Sequence, residues 1–128
     1  MSENSHVVVN ELGEIKVSEE VVAIIASTAA SEIPGVSGMS GGFAGDIVEM
    51  LGRKNLSKGV KVEVGEKEAA IDLYVVIDYG YRIPEVSWDI QEKVKRSVEE
   101  ITGLDVIEVN IHVQGINFER MPEAEVMR

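Results

Sequence analysis

The sequence is poor in the residue types on which many kinds of protein chemistry depend. It contains no cysteine, two histidines and one tryptophan among 128 residues. The missing cysteine excludes disulfide bonds, thiolate metal sites and thiol nucleophiles, and it fits a reducing compartment. The N-terminal residues lack the basic and apolar regions of a signal peptide, and no apolar run approaches the ~20 residues that cross a bilayer. We therefore expect a cytoplasmic protein without a membrane span of its own.

Basic side chains are also scarce, with 12 lysines and arginines against 23 acidic residues and a net charge of −11. An acidic surface repels anionic lipid headgroups and the phosphates of nucleic acids. The one basic cluster is Arg53-Lys54 with Lys58 and Lys61. Direct binding to membranes is therefore disfavoured, and we expect no nucleic-acid partner.

Motifs for catalysis or metal binding are lacking. His6 and His112 lie far apart, and no residues have metal-ligand spacing. No serine stands in a nucleophile elbow, and no Ser–His–Asp set can be assembled. Asp72 and Asp78 share one strand face but are about 20 Å apart, too far for an acid/base pair. We predict no catalytic, cofactor-binding or metal-binding residue, and hence a protein that is not an enzyme.

The clearest pattern present is the period of two between Ala69 and Tyr79. Its odd positions are apolar, whereas its even positions include Asp72, Tyr74 and Asp78. A period of two predicts a strand with one face in the core and Tyr79 on that face. Alternating valines at 60, 62 and 64 predict a preceding strand, so that the two form an antiparallel hairpin.

Two segments have the spacing of amphipathic helices. Ser18 is a suitable N-cap for a helix over 19–33, which Pro34-Gly35 would end. Pro84 suits the first turn of a second helix that ends at Thr102-Gly103. Its apolar stripe, spaced by three and four residues, comprises Val86, Ile90, Val94, Val98 and Ile101.

A last strand is predicted over 105–114, and a short edge strand over 12–17. In the last strand the expected inward residues are Ile107, Val109, Ile111 and Val113, and the expected outward residues are Glu108, Asn110, His112 and Gln114. The order β-α-β-β-α-β predicts an α+β fold, a two-layer sandwich whose small mixed sheet carries both helices on one face. The final strand–helix–strand unit should be right-handed, with parallel strands.

The length favours a single domain, which we place at residues 12–118. Residues 1–11 are expected to form a flexible N-terminal arm, and residues 119–128 a charged C-terminal tail. Residues 36–59 are expected to form a mobile glycine-rich insertion that could contain a short helix. The glycines of segment 38–45 could cradle a phosphate, but no Gly-Lys-Ser/Thr follows, and a flexible loop is favoured.

Several strings occur together in an order that resembles one known family. They are Gly13-Glu-Ile-Lys-Val-Ser18, Pro34-Gly-Val36, Gly59-Val-Lys-Val-Glu-Val, Ile71-Asp-Leu-Tyr-Val-Val-Ile-Asp-Tyr-Gly80, Ile83-Pro-Glu-Val86, Val94, Val98, Thr102-Gly-Leu104 and Val109-Asn-Ile-His-Val-Gln-Gly115. Over residues 12–118 the chain resembles the alkaline shock protein, or general envelope stress response, family of Gram-positive bacteria.

The resemblance implies a small cytoplasmic protein without established enzymatic activity. It implies a link to cell-envelope stress, with self-association and with attachment to the membrane through a separate anchoring protein. Other members are associated with fatty-acid synthesis through acetyl-CoA carboxylase genes. Two hypotheses follow: a stress protein that self-associates or docks on a protein partner, or a regulatory or ligand-binding module linked to fatty-acid synthesis.

Candidate contact residues lie on two predicted surfaces. The sheet face turned away from the helices should carry Tyr74, Val76, Asn110 and His112, with either a protein partner or water against it. Trp88 lies about 200° around its helix from Val86, opposite the apolar stripe. It is interpreted either as an interface residue or as a side chain buried against the 79–83 turn.

Overall fold

The computed structural model describes residues 5–40 and 58–118. In chain order the elements are β1 (Ser5–Asn10), β2 (Gly13–Ser18), α1 (Glu19–Ser31), β3 (Val36–Met39), β4 (Val60–Val64), β5 (Glu68–Asp78), α2 (Ile83–Thr102) and β6 (Asp105–Asn117). The predicted α+β class is confirmed. No helix in the described ranges has the length and apolarity needed to cross a bilayer.

Strand β5 is the centre of a four-stranded mixed sheet. It pairs in parallel with β6 along its whole length, as predicted for the final strand–helix–strand unit. The opposite edge is shared, because β4 pairs antiparallel with residues 69–73 and β3 pairs antiparallel with residues 75–77. Tyr74 lies between them: its N–H donates to the Gly59 carbonyl at 2.8 Å, and its carbonyl accepts from the Ser40 N–H at 2.7 Å.

Both helices pack on one face of this sheet. The buried side chains of the two helices form a single cluster with the odd-numbered residues of β5, which all project to the same side. Small residues of α1, among them Ala26 and Ala30, allow the helix to approach closely. The α2 stripe is buried as predicted except for Ile101, which is 66% exposed. Its inward placement was wrong because the helix ends one residue later, at the edge of the core.

The N-terminal residues differ from the expected flexible arm. Residues 5–10 form β1 and pair antiparallel with β2, from Ser5 opposite Ser18 to Asn10 opposite Gly13. The Asn10 side chain accepts a hydrogen bond from the Leu12 N–H at 2.8 Å and so stabilises the turn. This strand was not predicted because its three valines are consecutive and show no alternation, and the pairing with β2 that orders it is not visible in a local pattern.

The predicted insertion also begins with ordered structure. Residues 36–39 form β3, which is held by hydrogen bonds to β5 and contributes Val36 to the core. Gly38 lies in this strand. The remainder of the insertion, with the short helix and most of the proposed phosphate cradle, falls at 41–57 and lies outside the described residues. The charged tail at 119–128 also lies outside them.

A β-bulge in β6 reverses the predicted alternation at its start. Ala69 is opposite Val106 and Ala70 is opposite Glu108, so one extra residue, Ile107, is inserted between the pairs. Val106 is consequently buried, and Ile107, which was expected to face inward, is 59% exposed. After the bulge the predicted pattern resumes, with Val109 buried.

The end of β5 also departs from the simple alternation. Tyr79, expected in the core, follows the last strand residue and is half exposed, with its ring stacked on Phe118 at 4.9 Å between centroids. Asp78, expected on the open face, is buried. A period of two predicts side-chain direction only while the strand continues, and Tyr79 lies beyond its last residue.

Candidate functional site

Four of the five predicted contact residues come together on the sheet face opposite the helices. Tyr74 and Val76 lie on β5, and Asn110 and His112 lie on the adjacent β6. The parallel register places Tyr74 beside His112. All four side chains are partly exposed, because within residues 5–40 and 58–118 no helix covers this face.

A stacked aromatic pair forms the centre of this face. The rings of Tyr74 and His112 are 4.4 Å apart between centroids and 12° from parallel. His112 Nε2 lies 3.0 Å from Asp72 Oδ1. An ionised carboxylate can only accept a hydrogen bond, so His112 Nε2 is protonated and its N–H donates the hydrogen bond to Asp72 Oδ1. Lys61 Nζ, from β4, lies 5.8 Å from the Tyr74 ring centroid, within cation–π range.

We call Lys61, Asp72, Tyr74, Asn110 and His112 the outer-face cluster. The hydrogen bond from His112 lowers the pKa of Asp72 below 3.8, its ordinary value. Burial acts in the opposite direction, while Asn110 and the charges of His112 and Lys61 lower the pKa further. Asp72 therefore remains ionised at neutral pH. It holds the imidazole ring in a defined orientation on a surface that is open to solvent.

A side-chain hydrogen bond beside the cluster connects residues on the two sides of β5. Ser40, which follows β3, donates through Oγ to the Gln114 side-chain oxygen at 3.1 Å. Gly115 lies opposite Val76, and a Cβ there would be 3.7 Å from a Val76 methyl group. Val76 thus forms a small apolar patch at one end of the polar cluster.

Among the described residues, the cluster shows no complete set of groups of a known catalytic type. An Asp–His pair can orient a general base, but within the described ranges no serine or threonine hydroxyl is hydrogen bonded to His112. No group of three or more potential metal ligands occurs among the described residues. The arrangement offers a rigid aromatic pair, one cation and one anion on an open sheet, which is a surface suited to contact.

Trp88 lies elsewhere, on the helical layer. Its side chain is 58% exposed and borders a groove between α2 and β6 with Gln91, Ile107 and Val109. It is not buried against the 79–83 turn, so that interpretation is wrong, and its role as an interface residue stays a prediction. The five predicted residues therefore belong to two surfaces on different sides of the molecule.

Asp72 and Lys61 were not predicted as site residues, although the alternation of β5 placed Asp72 on the same side as Tyr74. Asp72 belongs to the cluster because the register of β5 and β6 places it beside Asn110 and leaves the His112 ring within hydrogen-bonding distance of it. The alternation of polar residues in two adjacent strands was the sequence signal for this cluster. The register of β5 and β6 could not be predicted from the sequence, because it depends on the bulge at Ile107.

Comparisons with known proteins assign the chain to a family. Residues 7–118 match the profile of the alkaline shock protein 23 family, which is described by a cell envelope-related function. The chain is 41% identical over 108 residues to the uncharacterized protein YqhY of Bacillus subtilis (strain 168), covering 84% of this chain and 80% of that protein. It is 39% identical over 106 residues to the uncharacterized protein YloU of the same strain, covering 81% and 88%.

A third relative has a functional name. The chain is 34% identical over 114 residues to a stress response regulator gls24 homolog of Streptococcus pyogenes, covering 88% of this chain and 64% of the homolog. Each match extends over at least four fifths of the present chain. The chain therefore belongs to the alkaline shock protein 23 family, whose function is related to the cell envelope.

Proposed function

We propose that this protein acts in the envelope stress response without catalysing a reaction, by docking on a protein partner or on another copy of itself through the outer-face cluster. The family assignment and the stress response regulator among its relatives support the response. The observation that supports this face as the docking surface is the stacked pair of Tyr74 and His112, whose ring centroids are 4.4 Å apart on an open sheet face.

The pair is suited to binding because its side chains are already ordered. Ordering a flexible side chain at an interface costs roughly 0.5–1.5 kcal/mol, and that cost is reduced where the ring is already held. Here His112 is held by Asp72 at 3.0 Å and by the Tyr74 ring. Tyrosine is also enriched among residues that dominate interface energies.

The charge of the protein supports an indirect route to the membrane. A net charge of −11 repels an anionic lipid surface. We place the protein in the cytoplasm, with attachment to the membrane through an anchoring protein that contacts the outer-face cluster. Self-association would increase the number of such contacts in one assembly and strengthen attachment through avidity.

The test is a double variant, Tyr74→Ala with His112→Ala, expressed in place of the normal protein during envelope stress. Partners are recovered by cross-linking in cells and identified by mass spectrometry, and a fluorescent fusion reports position. The control variant, Glu20→Ala with Arg96→Ala, removes exposed side chains from the helical layer. We expect the first variant, with its thermal unfolding checked, to lose its partner and membrane position, and the control to keep both.

A folded double variant that keeps both would refute the role of this face. Identification of the partner separates the two functional hypotheses. A membrane protein lost from the cross-linked set supports the proposed function. A lost subunit of acetyl-CoA carboxylase would instead support the alternative, a regulatory module linked to fatty-acid synthesis. Sedimentation of the purified protein shows whether copies of the chain associate.

A further inference from the structure

Strand β6 has an edge that no other strand covers within residues 5–40 and 58–118. Its bonds to β5 identify which residues point inward: the Asp105 N–H donates to Lys67, and the Asn117 carbonyl accepts from Tyr79. Backbone groups alternate in direction along a strand, and each bulge shifts the alternation by one residue. The free edge is therefore formed by the backbone groups of Val106, Val109, Ile111, Val113 and Ile116.

Side chains of α2 occupy the first part of this edge. Glu99 Oε2 accepts from the Val106 N–H at 2.9 Å, and Lys95 Nζ donates to the Val106 carbonyl at 3.0 Å. Gln91 Nε2 donates to the Val109 carbonyl at 2.9 Å. Capping of this kind protects an edge strand from unwanted pairing.

The capping stops where the helix presents tryptophan. Lys95 and Gln91 are one helical turn apart, and the residue at the next equivalent position toward the start of α2 is Trp88, or Ser87 beside it. Among the described residues, no side chain of α2 bonds to the edge groups of Ile111 or Val113. The second half of β6 is thus an open edge with an exposed indole next to it.

An extended segment laid along this edge would gain two kinds of contact. Its backbone would bond to Ile111 and Val113, as in other cases of strand addition. Its alternate side chains would point toward the helical layer, where the rings and methyl groups of Trp88 and Ile107 are 58% and 59% exposed. The remaining side chains of the segment would lie on the outer face, next to the outward-facing residues of β6, the first of which is Glu108.

Charge determines which segment fits. Glu92 and Glu108 border the groove, and its one cation, Lys95, is already paired with Glu99 at 2.8 Å. A second copy of the chain would bring its own excess of 11 negative charges to an acidic edge. We propose that the free edge of β6 beside Trp88 binds an extended segment of a partner protein in which apolar residues alternate with lysine or arginine. This surface is separate from the outer-face cluster.

The test uses the full chain and the peptide acetyl-Lys-Val-Lys-Val-Lys-Val-Lys-amide. Trp88 is the only tryptophan of the protein, so its fluorescence reports on the site directly. We expect a saturable shift of the emission to shorter wavelength, because the bound peptide excludes water from the indole. A peptide with glutamate in place of lysine should cause no shift. Absence of a shift with the lysine peptide overturns the proposal.

Variants of the protein separate specific binding from general charge attraction. Glu108→Lys should weaken binding of the lysine peptide several-fold, whereas Glu11→Lys, the same charge change in the turn of the β1–β2 hairpin, should have a smaller effect. Trp88→Ala, followed by calorimetry, should weaken binding roughly tenfold or more, as for an interface anchor. Equal effects of the two lysine variants would show that only the net charge matters and would overturn the proposal.

Backbone pairing has its own control. Peptides methylated on the backbone nitrogens of the valines lose the N–H donors along one edge of the peptide strand. Peptides methylated on the backbone nitrogens of the lysines lose the donors along the other edge. One of the two should fail to bind, and which one fails reveals whether the added strand is antiparallel or parallel. Binding by both would rule out strand addition. Tyr74→Ala should leave peptide binding intact, so this proposal and the proposed function fail independently.

Discussion

At the scale of single residues, the contact between Asp72 and His112 determines the character of the outer face. The hydrogen bond lowers the pKa of Asp72, so the folded state favours the ionised carboxylate more than the unfolded state does. A lowered pKa contributes stability that is complete at pH values well above 3.8 and is lost as the pH falls through the folded-state value. Asp72 should therefore make the protein sensitive to acid.

Replacement of Asp72 by asparagine tests the direction in which stability depends on pH. Wild type should be more stable than Asp72→Asn at about pH 5, and the difference should shrink as the pH falls toward about 2. Urea unfolding at each pH measures the two free energies. Asp89→Asn, an exposed change on α2, is the matched control. A difference that stays constant down to pH 2 would contradict the assigned hydrogen bond.

At the scale of elements, a glycine C-cap and side-chain hydrogen bonds connect the end of α2 to the start of β6. The helix ends at Gly103, whose φ of +81° is the left-handed conformation that glycine adopts without strain. Thr102 Oγ1 donates to the Val98 carbonyl at 2.7 Å and accepts from the Leu104 N–H at 3.1 Å. Glu99 accepts a hydrogen bond from the Val106 N–H of the strand. The hydrogen bond from Lys95 and, after it, the one from Val106 lower the pKa of Glu99.

Removal of the Glu99 carboxylate should loosen this junction. In Glu99→Ala the Val106 N–H loses its partner in a residue that is 4% exposed, and the cost should be about 1–3 kcal/mol. Glu100→Ala, the exposed neighbour, should cost less than about 0.5 kcal/mol. Chemical denaturation gives both values. Similar values for the two variants would mean that water replaces the carboxylate at Val106.

At the scale of the whole molecule, the charge of −11 opposes contact between copies and favours contact with basic segments. The two proposed interactions should therefore respond to salt in opposite ways. This difference follows from sign alone and does not depend on the details of either surface.

Raising sodium chloride from about 0.1 M to about 1 M shortens the screening length from about 10 Å to about 3 Å. Self-association should become stronger because the repulsion between acidic copies is screened, and binding of the lysine peptide should become weaker. Sedimentation equilibrium measures the first, and Trp88 fluorescence the second. Self-association that weakens with salt would indicate that opposite charges meet in the interface.

Much of the fold was predictable because periodicity is a local property. The alternation of β5 and the stripe of α2 each depend on residues close in sequence, and both were confirmed except at Asp78, Tyr79 and Ile101. The hairpin strand β1 and strand β3 were missed because pairing partners stabilise them more than their own composition does. Ile107 was misplaced because one inserted residue reverses a period of two.

The sequence by itself determined the fold class, the family and the membership of the outer face, since these depend on patterns that each element carries alone. Only the tertiary structure decided that Asp72 reaches His112, that Trp88 is exposed beside β6, and that capping of the β6 edge stops at Val109. These outcomes depend on strand register and on how α2 lies along β6. Both are set by packing between segments far apart in the chain, which no local pattern records.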